Sequence, residues 1–588
     1  MASYHAPLTD MRYLLNDLLA ELGAEELPGS EEMTPDLVDA VLEEAGKLCE
    51  GLLAPLNRSG DEEGCTFKDG QVKTPEGFKE AYRTFAEGGW TSLACDKEYG
   101  GQGLPETVNV MVEEMICSAN LSFGMYPGLS RGAYLAIRAF ASDELKATYL
   151  PKLVDGSWTG TMCMTEPQSG TDLGLIRTKA SPRDDGSYEV TGAKIFISAG
   201  EHDLTENIVH LVLARAPDAP EGTRGISLFL VPKLKDGEAN GVSCGSIEHK
   251  MGIAASSTCT INFEKAEGYL VGELNNGMRA MFVMMNTARL AVGIQGLGIA
   301  EAAYQGAAQY AGERLQGRAL SGAKQPGQPA DPIVVHPDVR RMLLTMRAYC
   351  EGARALGAWV ALNMDVAERH PDEDRRRQAL DFAELLTPVI KAAFTDIGFD
   401  VANLGVQVFG GHGYIREQGM EQYVRDARIT QIYEGTNGIQ ALDLVGRKMA
   451  AHTGRFLRSF FHPVAAFIDD NLEDSALAEF VGPLAKAFGR LQRATGWLAS
   501  KGLADAEEAA AAATDYLRLF ALVALAYMWA RMAAISLAKV DGDDGGFHQA
   551  KLATARFYMT RLLPASGGLF AAIMAGKGPL MDFDEGAF

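Results

Sequence analysis

Residues 431–440 read Gln-Ile-Tyr-Glu-Gly-Thr-Asn-Gly-Ile-Gln, and the rest of the chain is read outward from them. A single carboxylate, Glu434, stands between an aromatic ring, Tyr433, and Gly435. Residues 423–431 before it carry apolar positions at helical spacing, and residues 439–445 after it read as another helix start. Glu434 therefore falls on a short turn between two helices. There its backbone N–H is available to a ligand and its side chain can enter a cavity. A ring such as Tyr433 dries that cavity, and a desolvated carboxylate is a stronger base near neutral pH. The same residues also fit a plain helix start, where a negative charge beside Thr436 is favoured by the helix dipole. On local sequence both readings stand.

Length and composition bound the remainder. A chain of 588 residues holds several domains or one multi-layered body, with a large core available. The formal charge of −23 argues against nucleic acid or an anionic membrane as partner, although a local basic site can still hold a phosphate. The eight cysteines are scattered without a C-x-x-C pair and read as reduced thiols of a cytoplasmic protein. No His-Glu-x-x-His spacing occurs among the ten histidines, so no metal site is expected. The opening Met1-Ala-Ser-Tyr-His lacks a signal-peptide pattern. No stretch reaches the roughly 20 apolar residues that span a bilayer. The nearest, residues 519–530, is closed by Arg531 and reads as a core helix.

In chain order, residues 1–36 read as an extension with one amphipathic helix near 11–22. Residues 37–157 are mostly helical, with helices over 37–53 (ending at Pro55), 75–86, 106–119 and 132–150. The texture changes at Trp158. Runs of β-branched and aromatic residues at 188–190, 194–198, 208–214, 226–231 and 257–263 predict a small antiparallel β-domain, a barrel, over 158–277. No G-x-G-x-x-G follows a first strand, so a Rossmann nucleotide site is not indicated. Helices return over 278–448, interrupted by the Pro/Gly/Gln-rich loop 321–332, which reads as a mobile surface loop. Residues 449–588, alanine-rich, read as a further helical domain. The fold class is α+β.

The motifs have company in a fixed order. Arg425-Asp-Ala-Arg428 followed by Gln431-Ile-Tyr-Glu434-Gly-Thr436 resembles the catalytic segment of the acyl-CoA dehydrogenase family. So does Met162-Cys-Met164-Thr165-Glu-Pro-Gln-Ser-Gly170-Thr171-Asp, which is similar to that family's flavin loop, with Ser169 for the usual alanine and Thr171 for the usual serine. Lys194-Ile-Phe196-Ile-Ser198 matches its strand behind the isoalloxazine, with Phe196 in place of a frequent tryptophan. The resemblance covers residues 37–448, and the added C-terminal helices mark the family's large form.

The resemblance implies FAD as cofactor, an acyl-CoA thioester as substrate and Glu434 as the base that removes its α-proton. The flavin's ribityl hydroxyl and the Glu434 N–H would hold the thioester oxygen. FAD contacts are implied for Met162, Met164, Thr165, Gly170, Thr171, Phe196, Ser198, Arg314, Gln407, Gly411, Thr436 and Gly438. Arg314, Gln407 and Gly411 would reach FAD across the interface of a homodimer. Substrate contacts are implied for Thr171, Asn286, Arg289, Tyr433 and Gly435; Asn286 stands where relatives carry an acid. His412 reads as structural. The acyl wall would comprise residues 93–104, Met284, Met285 and Tyr433. The whole-chain likeness, with the opening Tyr4-His-Ala-Pro-Leu8 and the Glu434-Gly-Thr-Asn-Gly438 turn, implies 3-(methylthio)propanoyl-CoA as substrate, in dimethylsulfoniopropionate catabolism. Short- and medium-chain acyl-CoAs are the alternative substrates. Electrons would pass to an electron-transfer flavoprotein; an oxidase using oxygen, or a flavin-containing nucleic-acid-binding relative, is the competing reading.

Overall fold

A computed structural model describes residues 4–24, 27–28, 33–543 and 545–588, with the side chains of residues 282–286 outside the description. The chain forms two compact units. One comprises Met1–Gly46, Glu106–Ser118 and Val292–Phe588, the other Lys47–Pro105 and Ala119–Ala291.

The second unit is built on a seven-stranded sheet: β1 (Trp158–Cys163), β2 (Lys179–Pro182), β3 (Tyr188–Ser198), β4 (Asn207–Ala214), β5 (Ser227–Pro232), β6 (Val242–Ile247) and β7 (Thr258–Val271). The order is β1-β4-β5-β7-β3-β2, with β6 beside β7. Every residue of β4 and β5 is buried, which suits their nearly unbroken apolar runs. Just past β4, Arg215 N donates to Thr178 O and Ala180 N to Arg215 O, each at 2.9 Å. These bonds bring β2 against the end of β4 and close a ring.

The sheet is not purely antiparallel: β1 and β4 run parallel, in register from Trp158↔Asn207 to Cys163↔Val212. A parallel pair needs a long connection. Here it is the loop after β1 together with the β2–β3 pair. The two runs expected at 188–190 and 194–198 are one strand, with a register shift opposite Cys259/Ile261.

Two helical expectations are also corrected. The helix expected to stop at Pro55 passes from Pro35–Leu48 through a π turn, Cys49–Leu53, into Ala54–Glu63. Pro55 then lies in a first turn, where no N–H is required. The helix expected over 106–119 is the first part of α1 (Glu106–Phe140) and ends where expected, while the one expected over 132–150 is divided between the rest of α1 and a separate helix, Asp143–Val154. The break in α1 is at Asn120 (φ −162°, ψ 92°), whose side-chain oxygen accepts from Phe123 N at 3.0 Å and so caps the restarted helix.

In the first unit the main helices are α2 (Gly277–Glu313, of which residues 292–313 belong here), α3 (Pro337–Arg369), α4 (Glu373–Phe409), α5 (Met420–Thr430), α6 (Asn437–Asp443), α7 (Arg455–Asn471), α8 (Ala478–Ala504), α9 (Ala506–Lys539), α10 (Phe547–Phe557) and α11 (Ser566–Met574). Helices α2 and α4 touch backbone to backbone. A Cβ on Gly296 would lie 2.5 Å from the Phe394 carbonyl oxygen.

Helix α9 is 34 residues long, and the apolar run 519–530 lies, as expected, in a core helix, which continues past Arg531. Among the described residues it is long and apolar enough to cross a membrane, yet 83% of its most apolar window is buried within the protein. Trp529 on α9 is fully buried and donates its indole N–H to Ala348 O of α3 at 3.0 Å.

A buried ion network reinforces this packing. The Arg354 guanidinium bonds Glu114 at 2.6 and 2.9 Å, Glu301 at 2.7 Å, and Asp10. Lys551 of α10 bonds Glu351 at 2.7 Å and the same Asp10.

Candidate active site

The turn between α5 and α6 has an uncommon backbone. Glu434 adopts φ +56° and Gly435 φ +84°. A side-chain-bearing residue in the left-handed region costs free energy unless its surroundings enforce it, and such residues gather at functional sites. The enforcement is visible. The Gln440 side-chain amide, fully buried, donates to the carbonyls of Glu434 (3.0 Å) and Gly435 (3.1 Å). Asn437 N donates to Gln431 O at 3.1 Å, closing the turn's mouth. Thr436 caps α6, its hydroxyl accepting from Ile439 N at 3.4 Å.

Helix α4 grips the turn from behind. Asn437 Nδ2 donates to Asp396 Oδ1 (2.8 Å), Thr395 Oγ1 (3.0 Å) and Ala392 O (3.2 Å), while its Oδ1 accepts from the Lys391 ammonium (3.0 Å). Glu434 Oε2 is shielded from solvent. The Tyr433 hydroxyl donates to Gln295 Oε1, and burial raises the phenol pKa well above its ordinary value. Gly438 is exposed at the start of α6.

In the same unit, Arg314, Gln407 and Gly411 are all exposed. Beside them Tyr310 stacks on Phe409 at 4.1 Å, and its hydroxyl lies 3.0 Å from His412 Nδ1. Tyr414 is 86% exposed and Leu320 92%.

The inserted loop lies at the surface as expected, with residues 321–329 all exposed, and is anchored at its end. The fully buried Asp331 accepts from Ala319 N (3.0 Å), Lys324 N (2.9 Å), Gln325 N (2.8 Å) and the Arg318 guanidinium (3.3 Å). These donors hold its carboxyl pKa well below the usual range.

The second unit carries the loop after β1. Met162 is buried and Met164 and Thr165 are half-buried, while Gly170 and Thr171 are exposed with open space around Gly170. Ser169, in the place of alanine, is buried and ties the loop by donating to Asp172 O at 2.7 Å. Phe196 is not a core residue. It sits on the β3 irregularity at φ +58° with 58% of its surface exposed. A large ring held out to solvent in a strained conformation is the cost of presenting a flat apolar wall. Half-buried Ser198 ends the strand.

Loop and strand are locked together by Ile195 N donating to Thr165 O (2.9 Å) and by a buried pair, Lys194 and Glu166. Burial pushes the Glu166 carboxyl up. Lys194, the Thr178 hydroxyl and the Arg177 N–H more than offset this and leave it at about 2. Arg289 is buried on α2. Leu93 and Leu104 are buried, and Leu104 N bonds Leu93 O at 2.8 Å. The side chains of Asn286, Met284 and Met285 lie outside the described residues.

Thus Tyr433, Glu434, Gly435, Thr436 and Gly438 share one turn, Tyr310, four residues before Arg314, packs on Phe409 and His412, which lie between and beside Gln407 and Gly411, and Met162 through Thr171 adjoin Phe196 and Ser198. Sequence reading passed over Gln440, Asn437, Asp396, Glu166 and Lys194 as functional residues. Four of them lie inside the quoted motifs, so motif membership was a usable signal. Asp396 gives none.

The geometry has counterparts among known proteins. Family descriptions match in series: acyl-CoA dehydrogenase, N-terminal domain (residues 38–157), middle domain (161–266) and C-terminal domain (275–449), then acetyl-CoA dehydrogenase C-terminal like (460–584). The chain is similar to the 3-methylmercaptopropionyl-CoA dehydrogenase of Ruegeria pomeroyi, with 45% identity over 95% of this chain and 96% of that one. It is similar to the broad-specificity linear acyl-CoA dehydrogenase FadE5 of Mycobacterium tuberculosis, with 33% identity across 100% of both chains. Its fold resembles a Bacillus anthracis acyl-CoA dehydrogenase solved in complex with FAD, at TM-score 0.75 and 21% identity over 94% of this chain and 90% of that one. The chain belongs to the acyl-CoA dehydrogenase family.

Proposed function

We propose that this chain is an FAD-dependent dehydrogenase that converts an acyl-CoA thioester to the trans-2-enoyl-CoA. We further propose that its preferred substrate is 3-(methylthio)propanoyl-CoA, yielding 3-(methylthio)acryloyl-CoA. The observation that carries the reaction is the clamped left-handed turn at Glu434 with its shielded carboxylate oxygen. The acyl group rests on 45% identity, along nearly the full chain, to a relative named for that substrate.

The residues present fit FAD. Exposed Phe196 offers a flat apolar wall, the open loop at Gly170 and Thr171 offers N–H and O–H donors, and exposed Arg314 offers a cation for a pyrophosphate. When bound, FAD supplies the redox chemistry by accepting the β-hydride of the substrate.

The protein's own part is proton transfer and charge stabilisation. A thioester acidifies its α-hydrogens only if the developing enolate is stabilised. The Glu434 N–H donates to the thioester oxygen, and the Glu434 carboxylate accepts the α-proton. The positions are held by Gln440 and Asn437, so no reorganisation is needed during reaction.

Three further assignments belong to this reading. The acceptor of the electrons is an electron-transfer flavoprotein, the assembly is a homodimer meeting at the Arg314–Gln407 face, and the enzyme works in the cytoplasm in dimethylsulfoniopropionate catabolism. The test is an acyl-CoA panel against the purified yellow protein, scored by anaerobic bleaching of flavin absorbance. Methylthiopropionyl-CoA is expected to have the highest kcat/KM, with butyryl- and valeryl-CoA close behind, since one methylene is worth only ~1–3 kcal/mol in an apolar pocket. Preference for eight carbons or more would remove the substrate and keep the reaction. Stoichiometric peroxide in air would replace the flavoprotein acceptor by oxygen.

A further inference from the structure

The oxygen Asp396 Oδ1 accepts from two side chains that flank Glu434 on either side: Gln431 Nε2 at 2.8 Å and Asn437 Nδ2 at 2.8 Å. One atom of α4 thus staples both ends of the turn that carries the carboxylate. The other oxygen, Oδ2, faces Arg518 Nη2 at 3.6 Å. Arg518 belongs to α9, in the C-terminal domain, and α9 packs against both α4 and α6.

We propose that Asp396 is the positioning residue of the catalytic turn, and that the added C-terminal domain acts on Glu434 through Arg518 and Asp396. The proposal rests on the reading of Glu434 as the base. Bonds from amides to an ionised carboxylate are stronger and more directional than neutral ones. They hold the turn's base while Gln440 holds its tip. Arg518 is about half exposed, so its ion pair adds little stability of its own. Its effect is to fix which way the carboxylate faces. Displacement of a base by about 1 Å costs on the order of 100-fold in rate, so a small rotation of Asp396 is felt in the chemical step.

The test uses the full-length, FAD-loaded enzyme with 3-(methylthio)propanoyl-CoA or butyryl-CoA as probe. It reads the limiting rate of anaerobic flavin reduction beside FAD content and acyl-CoA affinity. Asp396→Asn is expected to slow reduction on the order of 10-fold, with FAD content and acyl-CoA affinity within about 2-fold. Arg518→Gln is expected to slow it about 3-fold, Arg518→Lys to restore it, and Arg518→Gln to add nothing in the Asp396→Asn background. Gln431→Met, which removes one staple bond and leaves the carboxylate, is expected to slow the same step and serves if Asp396→Asn does not fold.

Reduction within 2-fold of wild type in both Asp396→Asn and Gln431→Met would overturn the proposal. So would effects of Asp396 and Arg518 that multiply, or a loss that follows FAD release alone. Glu434→Gln is measured alongside. If that variant reduces at the wild-type rate, the base assignment fails, whatever Asp396 does.

Discussion

The ammonium of Lys194, wholly buried, stands 2.9 Å from Glu166 Oε1 and joins strand β3 to the loop after β1. Breaking a buried pair by removing one partner leaves an uncompensated charge and costs about 3–5 kcal/mol. Lys194→Met is therefore expected to lower the urea midpoint and to release FAD, with both losses in the same variant. Because Glu166 sits at about 2, below its ordinary 4.5, its stabilising contribution is fully present above pH ~4.5 and is lost as pH falls toward 2. FAD release on acidification should track that window. Retention of FAD by Lys194→Met at wild-type stability would remove the pair from this role.

Glu434→Gln should keep FAD and bind acyl-CoA, since shape and backbone are retained. An amide cannot accept the proton, and a positioned base contributes about 100- to 10,000-fold. Anaerobic stopped-flow bleaching of the flavin is the measurement. A rate near wild type would identify another base.

Arg314 is exposed, as are Gln407 and Gly411. With the homodimer as proposed, Arg314→Ala is expected to weaken FAD binding and to leave the melting of the apoprotein unchanged. FAD content after gel filtration at falling protein concentration reads this directly. A monomer that keeps all its FAD on dilution would refute the shared site.

Three cations, Arg347, Arg354 and Lys551, face four carboxylates, Asp10, Glu114, Glu301 and Glu351, in the buried network. Burial raises the Glu114 pKa to about 7, with Arg354 only partly opposing it. Between pH ~4.5 and 7 the folded protein holds a proton that the unfolded chain has released, so stability falls as pH rises through that window and is flat above it. The drop should be of order 3 kcal/mol. Glu114→Gln is expected to flatten the profile. Urea midpoints from pH 5 to 8 for both proteins decide it, and an unchanged slope in the variant would exclude Glu114 as its source.

Much of this protein was settled by the sequence itself. The helical spacing on either side of Glu434, the β-branched runs of the middle region and the motif order around Thr165, Phe196 and Glu434 fixed the kind of fold and the candidate base. These signals are local, because periodicity and short motifs are properties of neighbours along the chain. What tertiary structure decided is what joins distant residues. The parallel β1–β4 pair was hidden because register across a long connection leaves no local trace. The left-handed backbone at Glu434 and Phe196 goes against residue preference and is enforced from elsewhere, at Glu434 by Gln440 and helix α4. Asp396 and Arg518 carry no motif. They enter the proposal only because folding sets one carboxylate against both ends of the Glu434 turn and a guanidinium against that carboxylate.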